Sequence, residues 1–367
     1  MDINFLNNNT ERTEFLSNHW NQKHLHIKNA IKNIFALDQE TIHELLMHDD
    51  IESRVVIERE FREMQHGPFE SEEINQLEKE KYTYIIHNLN LLFEPLNKLA
   101  QHFSFIPNWL FDDLMCTYSA KETSIGAHFD PYNVVIIQAH GKRKWELQYN
   151  FNEELDFDHD VKVLKDFQPD IEIILEPGDV LFIPRGCAHR GSSLEASLSY
   201  SVGFKAIQID KIVKNYLAEY LSADDEKYLD INKTGNDIDK SIIKSVKKEI
   251  LSLVEDDEAL TSFILSQLSE PKNYYEFDNE EASDIDFNLS YEKNPDCKWT
   301  WLDSNKSIQL AINGHTYQID SNTFNYIRPY LEMNGFESFE FKATEEKLIK
   351  EFIKILIHQE IFVISES

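Results

Sequence analysis

The spacing of apolar residues along the chain changes twice, and these changes suggest three parts. In the first part, apolar residues recur at helical intervals. The clearest series is Leu89, Leu92, Phe93, Leu96 and Leu99. Asp38 stands before an earlier helical series and is a candidate N-cap. We therefore predict that residues 1 to about 105 are largely helical, with an early strand at 54–57.

The middle part, residues 112–204, consists of short runs rich in Val, Ile, Tyr and Phe, separated by turn residues. The predicted strands are 114–119, 133–139, 143–148, 171–176, 179–184 and 197–204. Pro177 and Gly178 suit the two central positions of a type II turn, because proline presets the first φ and glycine accepts a positive second φ. Many short strands at this spacing indicate a sandwich or a barrel.

After Phe204 the helical period returns, which predicts a separate helical module followed by a small α+β module. The predicted helices of these parts are 212–220, 242–254, 321–333 and 344–358. Residues 269–296 are acidic and without periodicity, so we predict a linker there. A hairpin is expected over 308–319 around Asn313-Gly314, and a last strand at 361–364. The C-terminal module therefore resembles a winged helix.

Charge narrows the classes of partner. The chain of 367 residues has 36 Lys and Arg against 66 Asp and Glu, a formal net charge of −30. A generally basic surface for duplex nucleic acid is therefore not expected, and a basic protein is a better partner.

Two further features bear on location. The three cysteines, Cys116, Cys187 and Cys297, are odd in number and have no CxxC spacing, which favours a reducing compartment. The N-terminal residues lack the basic and apolar regions of a signal peptide, and no run of about 18 apolar residues occurs. We expect a soluble cytoplasmic protein with no membrane association.

The candidate chemistry lies in the strand-rich part, where His128 and Asp130 stand two positions apart and His189 follows on a distant strand. Residues two apart in a strand point to the same face. Two imidazoles and one carboxylate on one side of a metal form the facial triad that suits Fe(II) and leaves coordination positions open. The same triplet also occurs by chance, and His189 would then be an ordinary hydrogen-bonded core residue.

The segments around these residues resemble those of JmjC and cupin-like Fe(II)/2-oxoglutarate oxygenases, over about residues 10–205. The matching segments are HWNQK (19–23), HGPFE (66–70), PNW (107–109), DDLM (112–115), GAHFDPYNVVIIQ (126–138), GKRKW (141–145), EPGDVLFIPRGCAH (176–189) and SYSVGF (199–204). Within that superfamily the chain is most similar to bacterial ribosomal oxygenases that hydroxylate an arginine of large-subunit ribosomal protein sixteen. One departure is Ser199, where the family has asparagine.

This resemblance implies an α+β fold with a double-stranded β-helix core. The implied parts are an oxygenase domain at 1–205, a helical dimerisation module with its linker at 206–290, and a winged-helix-like domain at 291–367. It also implies Fe(II) held by His128, Asp130 and His189, with 2-oxoglutarate and dioxygen as cosubstrates.

Further site residues follow from the resemblance and from strand parity. Arg143 matches the family's basic position and would bind the distal carboxylate of 2-oxoglutarate, with Ser119 as a hydroxyl contact to the same carboxylate. Parity places Asp113 on the strand face of Ser119, and Tyr132 on the face of His128. Asp113 and Tyr132 are therefore candidates for binding a cationic substrate side chain, or else a structural aspartate and a core tyrosine.

The expected function is hydroxylation of an arginine in a basic ribosomal protein by a homodimer, with no direct reading of nucleic acid. Two alternatives remain open at this point. One is a histidyl or asparaginyl hydroxylase, or a lysine demethylase, of the same superfamily. The other is a cupin without catalytic activity that binds a basic protein.

Overall fold

The computed structural model describes residues 1–221, 240–272, 285–304, 307–333 and 335–365. These residues form two compact units, one of Met1–Ala206 and one of Ile207–Met333 with Glu337–Ser367. Within the described ranges, every helix falls short of the length and hydrophobicity that a membrane-spanning segment requires.

The first unit combines short helices with many antiparallel strands. Its strands are β1 (Asp2–Ile3), β2 (Leu25–Ile27), β3 (Ile31–Lys32), β4 (Ser53–Glu58), β5 (Arg62–His66), β6 (Tyr82–Ile86), β7 (Phe111–Ser119), β8 (His128–Phe129), β9 (Asn133–His140), β10 (Arg143–Gln148), β11 (Leu155–Asp156), β12 (Val163–Leu164), β13 (Ile171–Leu175), β14 (Val180–Ile183), β15 (Ala188–Ser193) and β16 (Ser197–Phe204). Its helices are α1 (Asn9–Asn18), α2 (Gln39–Met47), α3 (Ser71–Leu77) and α4 (Glu94–Gln101), with 3₁₀ turns at Leu89–Leu91 and Asn108–Leu110.

Two of its sheets pack on each other and form the core that holds the candidate site. The major sheet has eight strands in the order β2-β14-β9-β16-β7-β6-β4-β5, and the minor sheet has four in the order β13-β10-β15-β8. Val134 and Ile136 of the major sheet pack with Trp145 and Leu147 of the minor sheet. The inner faces of both sheets therefore enclose a shared interior, as a double-stranded β-helix requires.

The outer face of the major sheet is covered by helices. Val135 and Ile137, which alternate along β9 with the inward Val134 and Ile136, belong to a large core cluster. That cluster includes helical residues such as Ile42 and Leu46 of α2, Leu96 and Leu99 of α4, and Phe15 of α1. Successive side chains of a strand point to opposite faces of the sheet, and here both faces are covered. Strand β9 is therefore buried along nearly its whole length.

The prediction that residues 1 to about 105 are largely helical is wrong. Strands β4, β5 and β6 fall in this region and extend the major sheet beyond β7. Of these, only the position of β4 was predicted. The apolar run at Tyr82–Ile86 is buried on both faces, and a short run of this kind does not distinguish a strand from a helix by periodicity.

In the middle of the chain, each predicted strand coincides with an observed one. Gly178 has the positive φ of +94° that a type II turn demands at its second central position. A Cβ there would lie 2.4 Å from the carbonyl oxygen of Ile31, so the backbone leaves no space for a side chain. The Asp38 carboxylate accepts a hydrogen bond from the Thr41 amide and begins α2 as expected.

The second unit contains helices and two small sheets. Its helices are α5 (Ile209–Leu221), α6 (Lys240–Val254), α7 (Asp257–Leu268), α8 (Ser321–Leu331) and α9 (Lys347–His358). Its strands are β17 (Tyr291–Lys293), β18 (Trp299–Asp303), β19 (Ile308–Ile312), β20 (His315–Ile319), β21 (Ser338–Phe339) and β22 (Phe362–Ile364). The sheets have the orders β18-β19-β20 and β21-β17-β22.

The predicted hairpin is present as β19 and β20, joined at Asn313 and Gly314. Both residues have positive φ, 45° and 81°, as a two-residue hairpin turn requires. The linker prediction for 269–296 is wrong at its C-terminal end, because β17 pairs there with β22. Residues 273–284 of that segment lie outside the described part of the chain.

Candidate functional site

Three side chains converge at one end of the minor sheet. His128 lies on β8, Asp130 follows just after it, and His189 lies on β15 directly opposite His128 in the strand register. The Asp130 Oδ2 atom is 3.5 Å from Nε2 of His189 and 3.9 Å from Nε2 of His128. One ligand atom from each residue lies within 4.8 Å of the others. Two ligand atoms that bind one metal at right angles, with bonds of about 2.1 Å, stand about 3 Å apart. Only small movements of these three side chains would therefore bring their ligand atoms to that spacing.

The backbone sets the orientation of both imidazoles. Nδ1 of His189 is 2.9 Å from the carbonyl oxygen of Cys187, and Nδ1 of His128 is 3.1 Å from that of Gly126. A carbonyl oxygen only accepts hydrogen bonds, so each Nδ1 carries the proton. In the neutral rings each Nε2 then presents its lone pair towards Asp130, which is the arrangement of metal-binding histidines.

The protonation state of His189 also suits metal binding. Its burial, and then the neighbouring His128, lower the pKa of His189 to about 4. The imidazole is therefore neutral at pH 7 and offers a lone pair. Two lone pairs and a carboxylate oxygen facing each other repel unless a cation lies between them, and an N₂O set with open positions suits Fe(II). These three residues fit the metal that the resemblance implies.

Arg143 is the second notable group of the interior. It begins β10, and its side chain is buried with 2% exposure. Its Nη1 donates one long hydrogen bond, 3.5 Å, to the Ser199 hydroxyl, while its Nε has no hydrogen-bond partner. Among the described residues no carboxylate forms an ion pair with it. A buried charge without a counter-ion is costly, so the pocket around Arg143 fits an anionic ligand such as a carboxylate.

Burial alone lowers the pKa of Arg143 to about 10, which leaves the guanidinium charged at pH 7. The surroundings of the group are hydroxyl-rich. Arg143 pairs with Ser193 in the strand register, the Ser193 and Ser197 hydroxyls are 2.9 Å apart, and Ser197 pairs with Ser119. Ser119 is fully buried, and its hydroxyl is 3.0 Å from that of Thr83. The predicted residues Arg143 and Ser119 are therefore linked through this series of serines.

Asp113 lies on the inner face of β7, as strand parity predicted. Its neighbours Leu114 and Cys116 face the helix-covered core, while Asp113 does not belong to that cluster. The side chain is buried, and its Oδ2 accepts a hydrogen bond of 2.7 Å from Nδ1 of His87. A Cβ on Gly203 would lie 3.6 Å from Oδ1, at ordinary van der Waals distance, so Gly203 of β16 lies next to the carboxylate.

Tyr132 faces the same group of carboxylates. Burial, followed by Asp130 and then by Asp112 and Asp113, raises the pKa of Tyr132. Asp130 acts on the hydroxyl by its charge and by a side-chain hydrogen bond, and Asp112 and Asp113 act by charge alone.

Sequence reasoning missed two residues of this interior. His87, the partner of Asp113, lies 26 positions earlier, in the region that was predicted to be helical. Trp145 contacts the ring of His189 at a centroid distance of 5.9 Å, and the Arg143 guanidinium lies 5.2 Å from its ring. The sequence signals for Trp145 were its place at the end of the matching segment GKRKW (141–145) and its parity with Arg143, two residues away on β10.

Known proteins are similar to this chain in sequence over the part that contains the three metal-ligand candidates. Residues 98–212 match the family profile described as the JmjC domain. The chain is 32% identical over 211 residues to the Escherichia coli protein named ribosomal protein uL16 3-hydroxylase, and this match covers 57% of the chain and 56% of that protein. The matched region therefore spans little more than half of that curated relative.

Solved structures extend the comparison over the whole fold. The crystal structure of E. coli YcfD superposes with a TM-score of 0.79 at 21% identity, covering 100% of both chains. YcfD, described as a ribosomal oxygenase, in complex with cobalt and 2-oxoglutarate superposes with a TM-score of 0.76 at 22% identity, covering 99% of both. The resemblance expected from the sequence is therefore confirmed at the level of fold: residues 98–212 are similar to the JmjC domain, and the chain has the fold of YcfD with a double-stranded β-helix core.

Proposed function

We propose that this protein is an Fe(II)- and 2-oxoglutarate-dependent hydroxylase that acts on an arginine of large-subunit ribosomal protein uL16. The observation that carries the proposal is the pairing of an open His-Asp-His set with a buried guanidinium that has no counter-ion within the described part of the chain. A metal and an anionic cosubstrate would satisfy both. The similarity to a uL16 hydroxylase and to a fold solved with cobalt and 2-oxoglutarate supports this choice.

In this proposal His128, Asp130 and His189 would hold Fe(II), and a site with only three protein ligands would leave room for 2-oxoglutarate and dioxygen. When bound, iron, 2-oxoglutarate and dioxygen together supply the oxidising power to insert an oxygen atom into an unactivated C–H bond. The protein's own residues orient the two small ligands. Arg143 binds the distal carboxylate of 2-oxoglutarate, and Ser119 contributes a hydroxyl to the same end.

Asp113 and Tyr132 would bind the guanidinium of the substrate arginine. A buried carboxylate held at one oxygen by His87 keeps its orientation, and a guanidinium offers parallel donors that match a carboxylate. The net charge of −30 would also attract a basic ribosomal protein over a distance that salt shortens. No nucleic acid needs to be contacted for this recognition.

The second unit would supply the oligomer interface and the C-terminal tail. We propose a homodimer formed mainly by the helices between 207 and 268, followed by the winged-helix-like part at 291–367. Helix α6 carries a continuous apolar stripe, in which Ile243 is 62% exposed and Ile250 is 50% exposed within one chain. Val246 and Val254 belong to the same exposed stripe. A second copy would cover it.

The metal assignment predicts that His189→Ala loses Fe(II) binding, because an open site with three protein ligands has no spare one. Equilibrium dialysis under anaerobic conditions should show affinity reduced by about 100-fold or more. His140→Ala, the same change at an exposed histidine, should bind as the wild type does. Unchanged iron binding and turnover in His189→Ala would exclude this site.

The cosubstrate assignment predicts that Arg143→Met, which keeps the volume and removes the charge, weakens 2-oxoglutarate binding by about 2 to 5 kcal/mol. The measurement is the charge-transfer absorbance of the anaerobic iron complex during titration with 2-oxoglutarate. Lys142→Met is the matched control, since Lys142 is half-exposed and pairs with Glu176. Equal affinities in the two variants would move the role to another cation.

The substrate assignment predicts that Asp113→Asn reduces hydroxylation of a uL16 arginine peptide at least about tenfold, because a charged hydrogen bond is lost while the shape is kept. Iron and 2-oxoglutarate binding should not change. Asp112→Asn removes the same charge one residue away, where the carboxylate faces Lys205, and separates long-range attraction from direct contact. Mass spectrometry of the peptide locates the added oxygen. Its presence on histidine or asparagine, or loss of a lysine methyl group, would reject the arginine substrate and leave the metal assignment standing.

The dimer assignment predicts a solution mass of twice the 43.2 kDa chain by light scattering at micromolar concentration. Replacing both Ile243 and Ile250 by Glu should shift the protein to monomer, because two charges would be buried in an apolar interface. Lys248→Glu, on the opposite side of α6, should remain dimeric. A wild-type monomer would refute the interface.

A further inference from the structure

We infer that Trp145 is a cosubstrate-binding residue, whose indole N–H donates a hydrogen bond to the distal carboxylate of 2-oxoglutarate beside Arg143. This inference rests on the proposed function and adds a residue to it. The indole is 93% buried and its Nε1 has no hydrogen-bond partner. Buried indole N–H groups ordinarily find an acceptor, so an orphaned one requires an explanation.

The strand register places Trp145 between the two halves of the proposed cosubstrate site. On strands β10 and β15, Arg143 pairs with Ser193, Trp145 with Gly191, and Leu147 with His189. Alternate residues of a strand share a face, so Arg143, Trp145 and His189 all face the interior. A ligand that reaches from the metal to Arg143 must pass the pair formed by Trp145 and Gly191.

Gly191 shows that the side chains carrying the two unpaired donors pack against the same backbone position. A Cβ on Gly191 would lie 2.8 Å from the Arg143 Nε and 3.0 Å from the Trp145 Cζ2. Cζ2 lies on the indole edge that carries Nε1. Nε of Arg143 and Nε1 of Trp145 are both buried and have no hydrogen-bond partner. Both side chains lie next to Gly191. Only glycine at position 191 leaves room for the two side chains in these positions.

A carboxylate is the acceptor that this arrangement fits. It carries negative charge for the guanidinium and has enough lone pairs to accept from both donors at once. The described chain offers Arg143 only the long hydrogen bond to Ser199.

The test compares two probes on Trp145→Phe, which retains an aromatic ring and removes the N–H. 2-Oxoglutarate has the distal carboxylate, whereas 2-oxopentanoate has the same chain length and ends in a methyl group. Binding is measured without turnover, by anaerobic titration of the Fe(II) complex and by calorimetry with Mn(II). We expect the affinity for 2-oxoglutarate to fall about tenfold or more, as for a hydrogen bond to a charged group. The affinity for 2-oxopentanoate should change by less than about twofold.

Two further samples keep the result decisive. Replacement of Trp145 by 3-benzothienylalanine through nonsense suppression keeps the ring size and exchanges only N–H for sulfur, so a change in packing is avoided. Trp20→Phe, in the helix-covered core, is the matched control and should bind both probes normally. Equal weakening of both probes, or no weakening of either, overturns the role of Trp145. Failure of the wild type to bind 2-oxoglutarate would instead reject the proposed function itself.

Discussion

The buried charge of Arg143 is the physical feature that determines which ligands the interior of the first unit can bind. Its guanidinium is buried, stays protonated at neutral pH, and among the described residues forms one long hydrogen bond, to a serine hydroxyl, besides its contact with the Trp145 ring. Proteins that bury such a charge for stability alone surround it with carboxylates, and the described residues do not do so here. A bound anion would offset the free-energy cost of burying this charge. The ligand-bound protein would then be considerably more stable than the ligand-free protein.

The two-sheet architecture places Arg143 and Asp113 at different positions along the interior. Ser199, which contacts Arg143, and Gly203, which lies beside Asp113, are four residues apart on β16. At about 3.3 Å per residue they are separated by about 13 Å. Arg143 therefore makes one end of the interior cationic, and Asp113 lies towards the other end. The distal carboxylate of 2-oxoglutarate and a cationic substrate side chain would each be repelled by the residue of like charge, so charge favours different subsites for them.

Much of this site could be predicted from the sequence, and the limits have physical reasons. Spacing of two along a strand identified His128 with Asp130, and parity correctly placed Asp113 with Ser119, because side-chain direction is a local property. The partners across strands were not predictable in the same way. His87 reaches Asp113 only through the pairing of β6 with β7, and the buried segment that forms β6 has no distinctive period. The space at Gly191 likewise depends on register, which a single sequence does not reveal.

The contact between His87 and Asp113 shows why an internal partner does not remove a carboxylate from function. Nδ1 of His87 engages one oxygen, Oδ2, and fixes the plane of the carboxylate. A carboxylate whose orientation is already fixed loses little rotational freedom when a cation binds, so less entropy opposes binding. In the proposed function His87 would touch neither metal nor substrate, yet it would determine how the Asp113 carboxylate receives a substrate cation.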